Sequence, residues 1–525
     1  MLATLVTAVV DGLQGSLVGV EVDVAPGLPA CHIVGLPDAA LSEARERVRA
    51  AIRNAGFVYP ASRITVNLAP ADRRKRGAAY DLAIAVGILV ASGQIRAEQG
   101  GWALLGELSL DGSLQPIVGA MPMVATLVAA GQRRIVLPRP NLAEAGLVRG
   151  AEAVGVVGLD DAARLVAGPR GRRAAQAIRR EPARVSSPAV RAEASRPVPP
   201  AEDPWVDLAE VRGQPGARWA LEIALAGGHN LLLTGPPGAG KTLLARSIPS
   251  LLPPLDDGEA LEATVIASVA GLLREPTDLR RTRPFRAPHH TCSYAAMVGG
   301  GPRVAPGEVT LAHRGVLFLD ELAEFDRDVL DALRQPLEEG SVAIARVSGQ
   351  IRYPAQVQLV AAMNPCRCGY AGDPQRACTC GPHEPERYVR RVSGPLLDRL
   401  DLRVAMRRVP VEALLGGPAP EGSATVRKRI TIARAAAMAR NGGRPNAALS
   451  GSAAMRLAAL ERPAMARLQQ LAIRDGSTAR GIHRIVRVAR TIADLAGRAT
   501  VDESAILAAA GLRDPAALPP QGLAA

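Results

Sequence analysis

At 525 residues the chain is too long for one hydrophobic core, and domain-size statistics favour about three units. Hydrophobic residues make up 48% of it and aromatic residues only 2%, so the cores are expected to be built from Ala, Val, Leu and Ile, and no aromatic base-stacking platform is evident. The formal charge of +13 suits an anionic partner, although an arginine-rich proteome produces the same balance without one.

The first stretch, Met1 to Val24, is apolar but carries Asp11, lacks a basic leader and is broken by glycines, so it resembles folded strands rather than a secretory signal. No run approaches the length of a membrane span, and a cytoplasmic location without membrane contact is expected. Residues 1–168 alternate short strand-like runs, such as Ile64 to Leu68 and Ile135 to Leu137, with helical ones. The clearest helix is Asp38 to Ala55, with Leu41, Ala44, Val48 and Ile52 on one face, Asp38 as N-cap and Gly56 as the stop. This pattern predicts an α/β domain.

Residues 169–204 shift to Arg, Ala, Pro and Ser with little apolar periodicity, which predicts a flexible linker. Its arginines, among them Arg170, Arg172, Arg173, Arg179, Arg180 and Arg184, could touch nucleic acid or keep a solvated tether soluble. A nucleotide-binding α/β unit is expected over 205–410 and a mostly helical unit over 411–515, after a Gly/Pro-rich joint at Gly416 to Gly422; residues 516–525 form a tail. In the helical unit Arg480, Arg484 and Arg487 recur at helical spacing beside the apolar Ile482, Ile485 and Val486, so this arginine stripe faces either something specific or water.

The strongest signal is Gly235-Pro236-Pro237-Gly238-Ala239-Gly240-Lys241-Thr242, which follows the apolar run Leu231-Leu232-Leu233 and forms a complete Walker A loop between a strand and a helix. A loop without bulky side chains can wrap its backbone N–H groups around phosphate oxygens, with the positive end of the next helix aimed at them. Lys241 would reach the outer phosphates and Thr242 would hold Mg2+. Val316-Leu317-Phe318-Leu319 then ends in Asp320-Glu321, a Walker B pattern. Asp320 would bind the ion and Glu321 would polarise the attacking water, so the pair argues for ATP hydrolysis rather than binding alone.

Between these motifs and the next apolar run, Ser341 to Ala345 and Gln350 to Tyr353 flank Val347-Ser348-Gly349 and predict a β-hairpin carrying Arg346 and Arg352. Cys366, Cys368, Cys378 and Cys380 are spaced C-x-C-x9-C-x-C, which can place four thiolates around a structural Zn2+. Reduced free cysteines, or a three-thiolate site completed by His383, are the alternatives.

The order of Walker A, His289-His290, Gly299-Gly300-Gly301, Asp320-Glu321, Asn364-Pro365-Cys366 and Ser393-Gly394-Pro395-Leu396-Leu397-Asp398-Arg399 resembles the magnesium-chelatase-like AAA+ proteins, in particular the ComM (YifB) type. Ile33-Val34-Gly35-Leu36-Pro37-Asp38 and Tyr80-Asp81-Leu82 look like the N-terminal domain of the same family, so the resemblance covers nearly the whole chain. It implies an AAA+ P-loop core with a C-terminal helical lid, assembled as a homo-hexameric ring that acts as a motor on branched or single-stranded DNA, driving branch migration in recombination or natural transformation. Within it Asn364 matches sensor 1, Arg399 the finger offered to a neighbour's γ-phosphate, and Arg480 sensor 2 in the lid. The hairpin and the His289-His290 segment would then be candidate pore elements that contact DNA. The alternative within the family is a chelatase-type ATPase subunit that drives metal insertion or protein remodelling through partners.

Gly77-Ala78-Ala79 and Pro116-Ile117-Val118-Gly119-Ala120-Met121 also resemble the proteolytic domain of Lon-type proteases. Ala79 stands where that family has its serine and Met121 near its lysine, so a Lon-protease-like domain without peptidase activity is expected.

Overall fold

The structure, a computed structural model, describes residues 1–35, 39–70, 78–97, 101–167, 205–273, 278–301, 305–346, 349–412, 416 and 420–513. The linker arginines, Leu36-Pro37-Asp38, Gly77 and the tail therefore lie outside the described residues, as does the Arg346 side chain.

The chain forms two compact units. In the first, the strands Leu2–Asp11 and Gln14–Ala25 form a long antiparallel hairpin, paired from Leu2↔Asp23 to Asp11↔Gln14. It lies inside a seven-stranded mixed sheet whose order is Ala30–Val34, Arg63–Ala69, Gln14–Ala25, Leu2–Asp11, Ala103–Leu104, Arg134–Pro138 and Glu152–Val156. Alternate residues of Arg63–Ala69 are buried, which is the period-two pattern of a strand covered on one face. The helix Asp81–Ala91 is apolar all round after its first residue and is buried along its whole length.

The periodic helix runs over Ala39–Asn54, with Ala44, Val48 and Ile52 buried, and Gly56 ends it at φ 84. From the edge of that face Arg47 reaches the fully buried Asp81, with Nε donating at 2.9 Å and Nη2 at 3.2 Å. The Lon-like positions are apolar in fact as well as by alignment: Met121 is buried at the start of Ala120–Ala129, and Ala79 packs against a core that contains Met123 and Val124.

The units do not follow the division by chain order. Ala260–Arg280 and Ala343–Tyr353 fall within the range expected for the nucleotide-binding core, yet both pack with the N-terminal segment. Gly119 N donates to Ser268 O at 3.1 Å, and the Ser268 hydroxyl meets Glu144. The expected hairpin forms as Ser341–Arg346 and Gly349–Pro354, and Ile351 lies against Gly12 in the turn of the first hairpin, where a Cβ would approach its Cγ2 to 3.0 Å.

The second unit is built on a five-stranded sheet in the order Phe285–Arg286, Val316–Leu319, Gln358–Met363, Leu231–Thr234, Leu402–Ala405, with every pair parallel. Three of its strands, Leu231–Thr234, Val316–Leu319 and Gln358–Met363, are buried at every residue, as near-continuous apolar runs in a two-sided parallel sheet should be. The helices Ser423–Arg440 and Ala479–Leu495 share this core: Val426, Ile430, Val486 and Ala489 belong to the same cluster as Leu231 and Leu233. The buried Arg490 is fixed by Asp494 and by the carbonyls of Ala458 and Ala499. Among the described residues no helix is long and apolar enough to cross a membrane.

Candidate nucleotide-binding site

In an open parallel sheet the ligand crevice lies beyond the carboxyl ends of the strands. Here three such ends carry Gly235, Asp320 and Asn364. The loop after Thr234 turns through Gly238 at φ 79 and Gly240 at φ 89, values that favour glycine. Gly235 answers a different need, because a Cβ there would come within 2.3 Å of Met406 O.

Lys241 opens the following helix and is buried, with Nζ donating to Gly235 O at 2.6 Å, Pro236 O at 3.0 Å and Asn364 Oδ1 at 3.1 Å. Burial pushes its ammonium down to about 8, against the pull of Asp320 and Glu321. Phosphate oxygens entering the loop could take over those carbonyl acceptors. Thr242 Oγ1 donates to Asp320 Oδ2 at 2.6 Å, so the two expected magnesium ligands already meet. An alcohol and a carboxylate are hard oxygen donors of the kind Mg2+ takes alongside phosphate.

Glu321 follows in the left-handed region at φ 52, which is costly for a residue with a Cβ, and Asp320 Oδ1 accepts its N–H at 2.9 Å. Its carboxylate is half-exposed, and His290 Nδ1 lies 3.1 Å from Oε2. His290 is in turn packed edge-on to Phe325 and against His289. Sequence reading placed this histidine pair among pore elements and missed its contact with the Walker B glutamate; pairing across 31 positions leaves no local pattern. Gln214 was also missed: Nε2 donates to Ala239 O at 2.9 Å and to Arg407 O at 2.7 Å, tying the phosphate loop to the segment after Leu402–Ala405.

Arg399 is placed elsewhere. Leu402–Ala405 pairs with Leu231–Thr234 from Leu231↔Leu402 to Thr234↔Ala405, and Asn230 Nδ2 donates to Arg399 O at 2.9 Å. Arg399 therefore precedes the strands whose opposite end leads into Gly235, about 13 Å further along a four-residue strand. Its guanidinium donates to Pro395 O at 2.6 Å and pairs with Glu338. The arginine stripe divides. Arg480 is exposed, whereas Arg484 Nε lies 3.6 Å from Asp401 Oδ1 and Arg487 is held largely out of water nearby. Against desolvation, His229, Arg484 and the Asn230 N–H hold the Asp401 carboxyl below the usual range. Burial and the neighbouring Arg484 and Arg403 push Arg513 down to about 10.

The Sγ atoms of Cys366, Cys368, Cys378 and Cys380 all lie within 4.8 Å of one another. Three of their separations are 3.4, 3.7 and 3.5 Å. Thiolates at the corners of a zinc tetrahedron stand about 3.8 Å apart, so this donor set fits Zn2+. Desolvation opposes ionisation of Cys368, yet the N–H groups of Tyr370 and Thr379 and the thiols of Cys366 and Cys378 pull it down to about 5. The alternative ligand His383 sits at the start of the helix Glu384–Val389, and the sulfur cluster forms without it.

Comparison with known proteins agrees with this geometry. Residues 207–414 match the family model described as magnesium chelatase, subunit ChlI; residues 20–141 match that of subunit ChlI of Mg-chelatase, and 420–513 that of the ChlI C-terminal region. An uncharacterized protein of Mycobacterium tuberculosis is 44% identical over 509 residues, covering 96% of this chain and 97% of the relative. The uncharacterized protein YifB of Escherichia coli is 42% identical over 487 residues, 92% of this chain and 91% of its own. The competence protein ComM of Haemophilus influenzae is 41% identical over 507 residues, 96% and 95% of the two chains.

Proposed function

The chain belongs to the magnesium-chelatase-like AAA+ family, in its ComM/YifB type, and from that premise we propose that it is an ATP-driven hexameric motor that remodels branched DNA. The observation that carries the ATPase half is the convergence of Lys241, Asn364, Thr242, Asp320 and Glu321 at the carboxyl ends of adjacent parallel strands. Lys241 binds the outer phosphates, and Thr242 and Asp320 would hold Mg2+, which when bound would neutralise charge on the phosphates. Glu321 takes a proton from the attacking water, Asn364 orients that water, and His290 fixes the carboxylate between turnovers.

The position of Arg399 supports the proposed ring. A cation that stabilises the transferred phosphoryl group cannot do so from the far end of its own sheet, so in this reading Arg399 serves the site of a neighbouring copy, and Arg480 on the exposed start of its helix acts as sensor 2 in the lid. DNA is the proposed substrate because near full-length similarity extends to a competence protein and because the chain carries +13. A chelatase-type role through partner proteins is the second reading, favoured by the description of the family models. Hydrolysis measured with and without a four-way DNA junction separates the two: stimulation supports the DNA motor, and hydrolysis indifferent to every DNA tested supports the other. The four thiolates are assigned a structural Zn2+, since a closed tetrahedral set leaves no open position for catalysis.

A further inference from the structure

We propose that the metal in the cysteine loop braces the Walker A loop, so that nucleotide affinity depends on metal occupancy. This rests on the zinc assignment above and adds a role for it. The loop begins at Cys366, two residues after Asn364, and Cys366 is fully buried. Gly369 N donates to Cys366 O at 3.0 Å and Ala371 N to Cys366 Sγ at 3.3 Å, so the first thiol organises the turn that follows it. At the tip of that turn Gly369 has φ 88, and a Cβ there would come 2.7 Å from Pro237 Cδ. The cysteine loop thus lies directly on the second proline of the Walker A sequence, and the rigid pyrrolidine ring cannot swing aside.

A second route reaches the same loop from its other side. The Tyr370 ring carries the Arg376 guanidinium 4.1 Å and the Arg408 guanidinium 6.0 Å from its centre, and Asp373 Oδ2 lies 3.3 Å from Arg408 Nη2. Arg408 closes the segment Met406-Arg407-Arg408. Met406 N donates to Thr234 O at 2.7 Å, Met406 O presses on Gly235, and Arg407 O joins Ala239 O through Gln214. Gly235, Pro237 and Ala239 are therefore each held by something that leads back to residues 366–380.

These polar contacts apart, the loop lies largely in solvent. Arg367, Pro374, Gln375, Arg376, Ala377 and Thr379 are exposed, so no apolar core fixes its shape. Without a cation the four sulfurs are joined only by weak thiol contacts, whereas a tetrahedral metal would tie them together and keep Gly369 and Tyr370 in place.

The test uses the full chain and reads metal content and nucleotide affinity, with no turnover needed. Wild-type protein is expected to carry Zn2+ at one per four-cysteine cluster. Stripping it with a chelator should weaken binding of a fluorescent ATP analogue in Mg2+ buffer by about tenfold, and adding Zn2+ back should restore it. Gly369→Ala should keep its zinc and still lose about tenfold in affinity, which separates the brace from the metal and from any loss of fold. Wild-type protein that never binds Zn2+ would overturn the zinc assignment. Loss of zinc with unchanged affinity, or unchanged affinity in Gly369→Ala, would overturn the brace while leaving the zinc assignment intact.

Discussion

Raising the pH from 7 to 9 should weaken nucleotide binding, because the cation that meets the phosphates is half-titrated near pH 8. Burial brings Lys241 down to about 8, with Asp320 and Glu321 opposing the shift. Bound phosphates favour the charged form, so binding raises the pKa of Lys241 and takes up a proton wherever the free site has lost one. Affinity is therefore nearly full below about pH 7, has halved by about pH 8 and keeps falling above it. With a pKa of 8, about nine-tenths of free sites are charged at pH 7 and about one-tenth at pH 9, which predicts an affinity loss of about tenfold, or about 1.4 kcal/mol. Calorimetric titration of Mg-ATP onto the Glu321→Gln chain, in two buffers of different ionisation enthalpy, reads both affinity and proton uptake without turnover. Uptake should approach one proton near pH 9, and Lys241→Arg should abolish the dependence because guanidinium stays charged. A flat affinity from pH 7 to 10 with no proton uptake would refute the reasoning.

Arg399→Ala and Lys241→Ala should each abolish hydrolysis alone, whereas an equal mixture should recover about a quarter of wild-type rate, the share of interfaces pairing an intact loop with an intact finger; a mixture as inactive as its parts would contradict action between subunits. Removing the His290 contact by His290→Ala should change kcat while leaving ATP affinity within about twofold, which a KM-against-kcat comparison checks. Asp81→Ala removes the buried carboxylate that Arg47 meets, leaving the longer Glu43 contact, and should cost about 3 kcal/mol, seen as an earlier thermal transition with ATP binding retained.

The nucleotide loop and its acidic partner were legible because each is a short contiguous pattern whose chemistry is local: glycines, lysine and threonine in one turn, and two carboxylates after one buried strand. The Ala39–Asn54 helix was legible for a similar reason, since its apolar residues recur at a regular period. Contacts between distant segments were not. Nothing local marks His290 as the neighbour of Glu321, or Gln214 as the link between Ala239 and Arg407. Helical spacing grouped Arg480 with Arg484 and Arg487, but only tertiary packing turns the latter two toward Asp401. Chain order likewise cannot tell that Ala260–Arg280 and Ala343–Tyr353 pack with the N-terminal strands.

The central claim, an ATPase coupled to branched DNA, is tested most directly by the steady-state ATP hydrolysis rate of the full chain with and without a synthetic four-way junction, alongside Glu321→Gln. Clear stimulation by the junction is expected in the wild type, and no hydrolysis in the variant. Hydrolysis that is intact yet unmoved by any DNA structure would contradict it.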